Sequence, residues 1–133
     1  MISEYKLLIR EHHLDSYGHV NNATYLNLFE EARWEIITSR GYGYSKVHET
    51  GQGPVILDVN MKFLKELKLR ETITITLELE SYEGKIGKIT QRMIKSDGDI
   101  ACEMKMTMGF FDLKARKLIL PSPEWKIAVG LNT

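Results

Sequence analysis

The sequence predicts an α+β domain: one long helix wrapped by a curved antiparallel sheet of five or six strands. Apolar residues recur at three-and-four spacing through "NATYLNLFEEARWEIITSR". From residue 55 onward the apolar period drops to two, the mark of half-buried strands. Those strands are separated mostly by tight turns, which allow hairpins and leave no room for parallel crossovers. A single helix with a wide apolar surface then fills the concave face of the sheet.

In chain order, Tyr5 to Arg10 is short, apolar and strand-like. The helix is expected from about Asn22 to about Arg40, with Tyr25, Leu28, Phe29, Ala32, Ile36 and Ile37 on its apolar stripe. Leu26 and Trp34 fall off that stripe and widen the apolar surface. Asn21 or Asn22 can cap the first turn, and Arg40 followed by Gly41 suits its end. Glu30, Glu31 and Glu35 read as a polar side; if Glu30 or Glu31 is enclosed by the sheet, Arg33 is the expected partner.

The glycine-rich "GYGYSKVHETGQGP" reads as a loop. Val55, Leu57, Val59, Met61 and Phe63 then alternate with Ile56, Asp58, Asn60, Lys62 and Leu64. Ile73, Ile75, Leu77 and Leu79 repeat the pattern. "EGK" at 83–85 and "SDGD" at 96–99 are hairpin turns bounding a less regular strand. Ile100, Cys102, Met104, Met106, Met108 and Phe110 form the last clean alternation; "LPSP" closes the sheet, and the tail to Thr133 carries no clear pattern.

A chain of 133 residues fits one domain, 1–133. Eighteen basic residues balance eighteen acidic ones, so no net field points to nucleic acid. The lone Cys102 cannot form an internal disulfide, and it reads as a core thiol. "MISEYKLLIREHH" scatters charge through its apolar run, unlike a signal peptide, and no run approaches the ~20 apolar residues of a membrane span. A cytoplasmic protein is expected. Open sheet edges favour pairing across a two-fold axis, hence a homodimer or homotetramer.

Chemistry concentrates in "DSYGHVNN", residues 15–22, just ahead of the helix. Unpaired amides at a helix N-terminus favour an anion, including the oxygen of a carbonyl under attack. Asp15 can attack such a carbonyl or activate water, and Gly18 permits a sharp turn between the two. Taken singly, Asp15 and His19 serve a loop more often than a reaction, Asn22 a cap, and Tyr25 a core. His12, His13, Asp15 and His19 lack any standard metal-ligand spacing: His12 and His13 would face opposite sides of an extended strand, and no metal is expected. Met104, Met106 and Met108 read as core or as lining of an acyl pocket.

"D-x-x-G-H-V-N-N-x-x-Y" followed by "F-E-E-A-R", residues 15–33, resembles the hotdog-fold acyl-CoA thioesterases of the 4-hydroxybenzoyl-CoA thioesterase-like family. The resemblance implies a sheet wrapped around a central helix and subunits joined edge to edge. It implies that Asp15 is the catalytic carboxylate and that the amide at Asn22 polarises the thioester carbonyl. His19 matches a histidine of the related plant acyl-carrier-protein thioesterases, whose nearby Asn is Tyr17 here. In the short-chain branch encoded beside the Tol-Pal system the corresponding His is replaced here by Asn22. Tyr17, Gly18, Tyr25 and Phe63 are the implied substrate contacts. Lys62, Lys65, Lys68 and Arg70 are candidates for CoA phosphates, with a solvated basic cluster as the simpler reading. The implied reaction is hydrolysis of an acyl-CoA without a separate cofactor, CoA being part of the substrate. A non-catalytic acyl-thioester binder and an acyl-carrier-protein thioesterase are the alternatives.

Overall fold

The computed structural model describes residues 2–131. Among them are β1 (Ile2–Leu8), α1 (Asn22–Ser39), α2 (Tyr44–Thr50), β2 (Gln52–Phe63) and β3 (Thr72–Glu83). There follow β4 (Ile86–Ile94), β5 (Ile100–Asp112), β6 (Lys117–Ile119) and α3 (Pro123–Val129). The described strands form one antiparallel sheet in the order β1-β3-β4-β5-β2, with β6 paired to β5. Strand β2 therefore lies at an edge although it follows the long helix in sequence, a placement that hairpin order alone does not give.

Helix α1 supplies Leu28, Phe29, Ala32 and Ile37 to a core completed by Ile73, Ile75 and Leu77 of β3 and by alternate residues of β5. All six stripe positions are buried. Arg33 is buried as well, at 7% exposure. Its guanidinium donates to Gln91 Oε1 at 2.9 Å, and Gln91 Nε2 donates to the Phe29 carbonyl at 3.1 Å. Glu30 stands 3.9 Å from Arg33 but remains exposed, so the buried partner is an amide on the sheet. Glu31 instead accepts from the Tyr5 hydroxyl at 2.7 Å, which pushes the phenol up to about 12.

Asn21 is the cap: its Oδ1 accepts from the Ala23 amide at 2.9 Å, leaving Asn22 as the first helical residue. Asn21→Ala is expected to lower stability by about 1 kcal/mol, and Asn21→Asp to restore most of it. Paired denaturant titrations check this; equal midpoints for Asn21→Ala and wild type would remove the cap from the account.

Several elements depart from the sequence expectation. Strand β1 begins at Ile2 and stops at Leu8, short of Arg10, because Ile9 exchanges backbone bonds with Arg70 and Glu71. Arg70 there adopts a left-handed φ of 66°, which a strand cannot continue. His12 and His13 lie in a 3-10 turn, Glu11–His13, with their rings 4.2 Å apart and not on opposite faces of a strand. The glycine-rich loop contains α2; Gly43 precedes it, and Gly51 ends it at φ 69°. Within β2, a bulge between Ile56 and Asp58 breaks the regular alternation. Ile56, not Val55, thereby pairs with buried Met108, while Val59, Met61 and Phe63 pair with buried Met106, Met104 and Cys102. The tail forms α3, capped by the Ser122 hydroxyl, and buries Trp125 against Phe110 and Tyr42. Residues 132 and 133 of that tail lie outside the described residues. Among the described residues no helix is long and apolar enough to cross a membrane.

Candidate active site

The loop ahead of α1 is closed by an antiparallel bridge between Leu14 and Val20. Inside it the Asp15 amide donates to the His19 carbonyl at 2.8 Å, and the Gly18 amide donates to the Asp15 carbonyl at 3.0 Å. Gly18 sits at φ 79°, so a side chain there would strain the turn. The Asp15 carboxylate organises the same loop: Oδ1 accepts from the amides of Tyr17 at 2.9 Å and His19 at 3.1 Å. Its second oxygen has no hydrogen-bond partner among the described residues. Five consecutive residues are thus held by one carboxylate oxygen and two backbone bonds.

Beside this loop an open cavity of about 480 Å³ is lined by Val20, Leu64 and Lys65 together with His19, Asn22, Tyr25, Phe63 and Glu66. Asn21 already serves the amides of residues 23 to 25: its side chain accepts from Ala23, and its carbonyl from Thr24 and Tyr25. The amide of Asn22 has no hydrogen-bond partner among the described residues, leaving a donor at the positive end of the helix. Tyr25 and Phe63 meet edge to face with ring centroids 5.2 Å apart. Burial pushes the Tyr25 phenol above its ordinary range, opposed by a backbone hydrogen bond from Leu67.

His19 Nε2 lies 2.8 Å from Glu66 Oε1. Glu66 sits on the segment after β2, which is tied down by several contacts. The amides of Leu64 and Lys65 donate to the Ala101 carbonyl, and Leu67 is buried. Lys95 donates to the Glu66 carbonyl at 2.6 Å and to Glu71 at 2.8 Å.

Of the residues singled out from sequence, His19, Asn22, Tyr25 and Phe63 share the cavity. Asp15 stands on the adjoining loop, outside the lining. Tyr17, 83% exposed, and Gly18 form the outward turn of that loop and do not line the cavity. Glu66 and Lys65 complete the wall; Glu66 was invisible as a partner of His19, since nothing local relates a loop glutamate to a histidine so distant in sequence. Of the basic candidates, Lys65 pairs with Asp99 at 2.5 Å and Arg70 with Glu11 at 2.7 Å. Lys62 and Lys68 have no ion-pair partner among the described residues. Cys102 is buried, and that burial pushes its thiol up to about 11, far from a reactive thiolate. No three His, Cys, Asp or Glu side chains converge as metal ligands among the described residues.

Residues 9–129 match the model of the thioesterase-like superfamily. The chain is 31% identical over 116 residues to the long-chain acyl-CoA thioesterase FadM of Escherichia coli, covering 86% of each chain. It is 37% identical over 65 residues to the chloroplastic acyl-acyl carrier protein thioesterase ATL3 of Arabidopsis thaliana, a stretch that is 49% of this chain and 34% of the plant protein. Among solved structures, the probable thioesterase YbaW of Escherichia coli superposes with a TM-score of 0.82 at 28% identity, covering 94% of each chain. A Staphylococcus aureus protein in complex with CoA gives 0.89 at 18% identity, covering 97% of this chain and 82% of that one, and establishes likeness of fold. The chain belongs to the thioesterase-like superfamily, the thioester hydrolases of the hotdog fold.

Proposed function

We propose that this chain hydrolyses an acyl-CoA thioester to a free acid and CoA, with the carbonyl seated at the N-terminus of α1. The carrying observation is the cavity in which Asn22 opens beside the His19–Glu66 pair. The Asn22 amide donates to the carbonyl oxygen and to the oxyanion that replaces it. Asp15, through its uncommitted oxygen, either takes a proton from the attacking water or itself attacks the carbonyl carbon; the acyl anhydride formed in the second route is then cleaved by water. In both routes the carbon–sulfur bond breaks, and the thiolate leaves with a proton. His19, held by Glu66, positions water or the carboxylate. Tyr25 and Phe63 wall the acyl side, and Tyr17 and Gly18 lie on the outer turn. The names of FadM and of the CoA complex favour CoA as the thiol carrier. No cofactor beyond the CoA of the substrate is needed in this scheme, which is that of a cytoplasmic enzyme. A homo-oligomer joined through β2 belongs to the same reading, because Ile56, Leu57 and Val59 are exposed along that edge.

The test is free-thiol release from short, long and aromatic acyl-CoAs, with an acyl-carrier-protein thioester of matched chain alongside. Tight binding without thiol release across the panel would make the protein an acyl-thioester binder. Turnover confined to the carrier-protein substrate would move it to that class. Glu66→Gln keeps an acceptor for His19 and removes only the charge; kcat is expected to fall about ten-fold, or ~1.4 kcal/mol of barrier. A double variant with His19→Gln should lose little beyond the worse single one. Independent, multiplying losses would show that the two residues do not act together.

A further inference from the structure

Tyr25 is only 6% exposed, yet it lines the same cavity as Asn22. Two contacts fix it from behind. Its ring meets Phe63 edge to face, and its phenol oxygen accepts a backbone hydrogen bond from the Leu67 amide. The hydroxyl hydrogen has no acceptor among the described residues. A buried donor left without an acceptor is costly, so this hydrogen belongs to the cavity, where a water or a substrate oxygen takes it. Tyr25 also stands three residues after Asn22 on α1, and residues so spaced are neighbours on one helix face, with Cβ atoms about 5–6 Å apart. Long helical side chains lean back toward the N-terminus and cover the turn before their own. The turn covered here is the one that carries the free Asn22 amide.

We propose that the Tyr25 hydroxyl is a second donor to the thioester carbonyl oxygen, completing with the Asn22 amide the site that holds the oxyanion. The inference rests on the seating of the carbonyl at Asn22 proposed above. A carbonyl oxygen offers two lone pairs, of which the amide takes one and the phenol the other. The ring still walls the acyl side; only its tip reaches the reacting group. As water or Asp15 adds to the carbonyl carbon, an electron pair moves onto the oxygen, and both bonds strengthen. When the carbon–sulfur bond breaks, that pair re-forms the carbonyl and the sulfur leaves with its own. The phenol keeps its proton throughout and acts as a donor, not as an acid. Burial holds that proton more firmly than in an ordinary tyrosine, so the group stays a donor through the neutral range. The Leu67 amide, bonded to the phenol oxygen, polarises the O–H bond toward the substrate. Leu67 follows Glu66, so one step of chain holds His19 through a side chain and Tyr25 through an amide.

The experiment is single-turnover thiol release by wild type, by Tyr25→Phe and by the protein with a fluorinated tyrosine at position 25. The substrates are octanoyl-CoA and the octanoyl thioesters of pantetheine and thiophenol, whose leaving thiols run from weakly to strongly acidic. Tyr25→Phe should slow release about 10²-fold, the usual cost of one oxyanion donor, with substrate affinity falling far less. The factor should be the same for every leaving thiol, because the bond is to oxygen. A loss that shrinks as the thiol becomes more acidic would put the bond on sulfur and overturn the proposal. Fluorination preserves the packing against Phe63 and makes the hydroxyl more acidic. The alkaline limit of the rate should therefore move to lower pH, where the donor is lost by ionisation. A profile that fluorination leaves unmoved, or full turnover by Tyr25→Phe, would return Tyr25 to a packing role and overturn the proposal while leaving the hydrolase reading intact. If wild type releases no thiol, the hydrolase reading fails, and infrared spectra of bound octanoyl-CoA, isotope-labelled at its carbonyl, carry the test. The carbonyl stretch should then lie at lower frequency in wild type than in Tyr25→Phe; equal frequencies overturn the proposal.

Discussion

Asp15→Asn is expected to leave a folded protein that releases thiol at least about 10³-fold more slowly, a loss of ~4 kcal/mol of transition-state stabilisation. The substitution is clean for a structural reason. Asp15 Oδ1 accepts from the amides of Tyr17 and His19, and an asparagine carbonyl can accept both bonds. The Leu14–Val20 bridge and the loop bonds involve backbone alone and are untouched. What disappears is the charge and basicity of the second oxygen, the atom available to water or to a carbonyl carbon. The readouts are single-turnover thiol release and the thermal midpoint, the latter expected to stay near wild type. Single turnover in heavy-oxygen water separates the two routes, since only nucleophilic attack places label in the Asp15 carboxylate. Full turnover by a folded Asp15→Asn would transfer the chemistry to another group, with His19 and Glu66 the first to examine.

Lys95→Met is expected to lower folding stability by about 3–5 kcal/mol, the largest stability effect foreseen here. The Lys95 and Glu71 side chains are only 9% and 11% exposed and lie 2.8 Å apart. Burial pushes the Glu71 carboxyl up, but the Lys95 ammonium and the backbone bonds from Lys68 and Ser96 outweigh it and hold the carboxyl below its ordinary value. Removing the ammonium leaves a buried carboxylate without its counter-charge. The pH dependence carries a definite sign. In wild type the depressed Glu71 contributes stability that is present above the ordinary carboxylate range and lost as pH falls through its folded value. In Lys95→Met the same group takes up its proton at higher pH, which relieves the unpaired charge. The stability gap between the two proteins should therefore narrow from pH 7 toward pH 4 in denaturant titrations. A gap independent of pH would assign the loss to packing. Because Lys95 also holds the Glu66 carbonyl, the variant should disturb the His19 side of the cavity, and its kcat should fall even where it is folded.

The legible parts of this protein are those whose cause is local. The stripe from Tyr25 to Ile37 reports a buried helix because residues three and four apart share a face whatever surrounds them. Alternation along β3 and β5 names the buried side for the same kind of reason. Asp15, His19 and Asn22 lie within eight residues, so their proximity needs only a turn, and Gly18 supplies it. By contrast, the bulge after Ile56 reverses an alternation that looks unbroken in sequence, because its position depends on fit to β5. Helix α2 is too short to reveal itself by period, and α3 exists around Trp125, whose partners Tyr42 and Phe110 come from elsewhere in the chain. By itself, then, the sequence determined the helix, the faces of its inner strands and the acid–turn–cap arrangement at residues 15–22. Only the tertiary structure decided that Arg33 would be buried against Gln91, that Glu66 would meet His19, and that the Tyr25 phenol would be held by the Leu67 amide. Those outcomes depend on packing between segments distant in sequence, and no local periodicity carries that information.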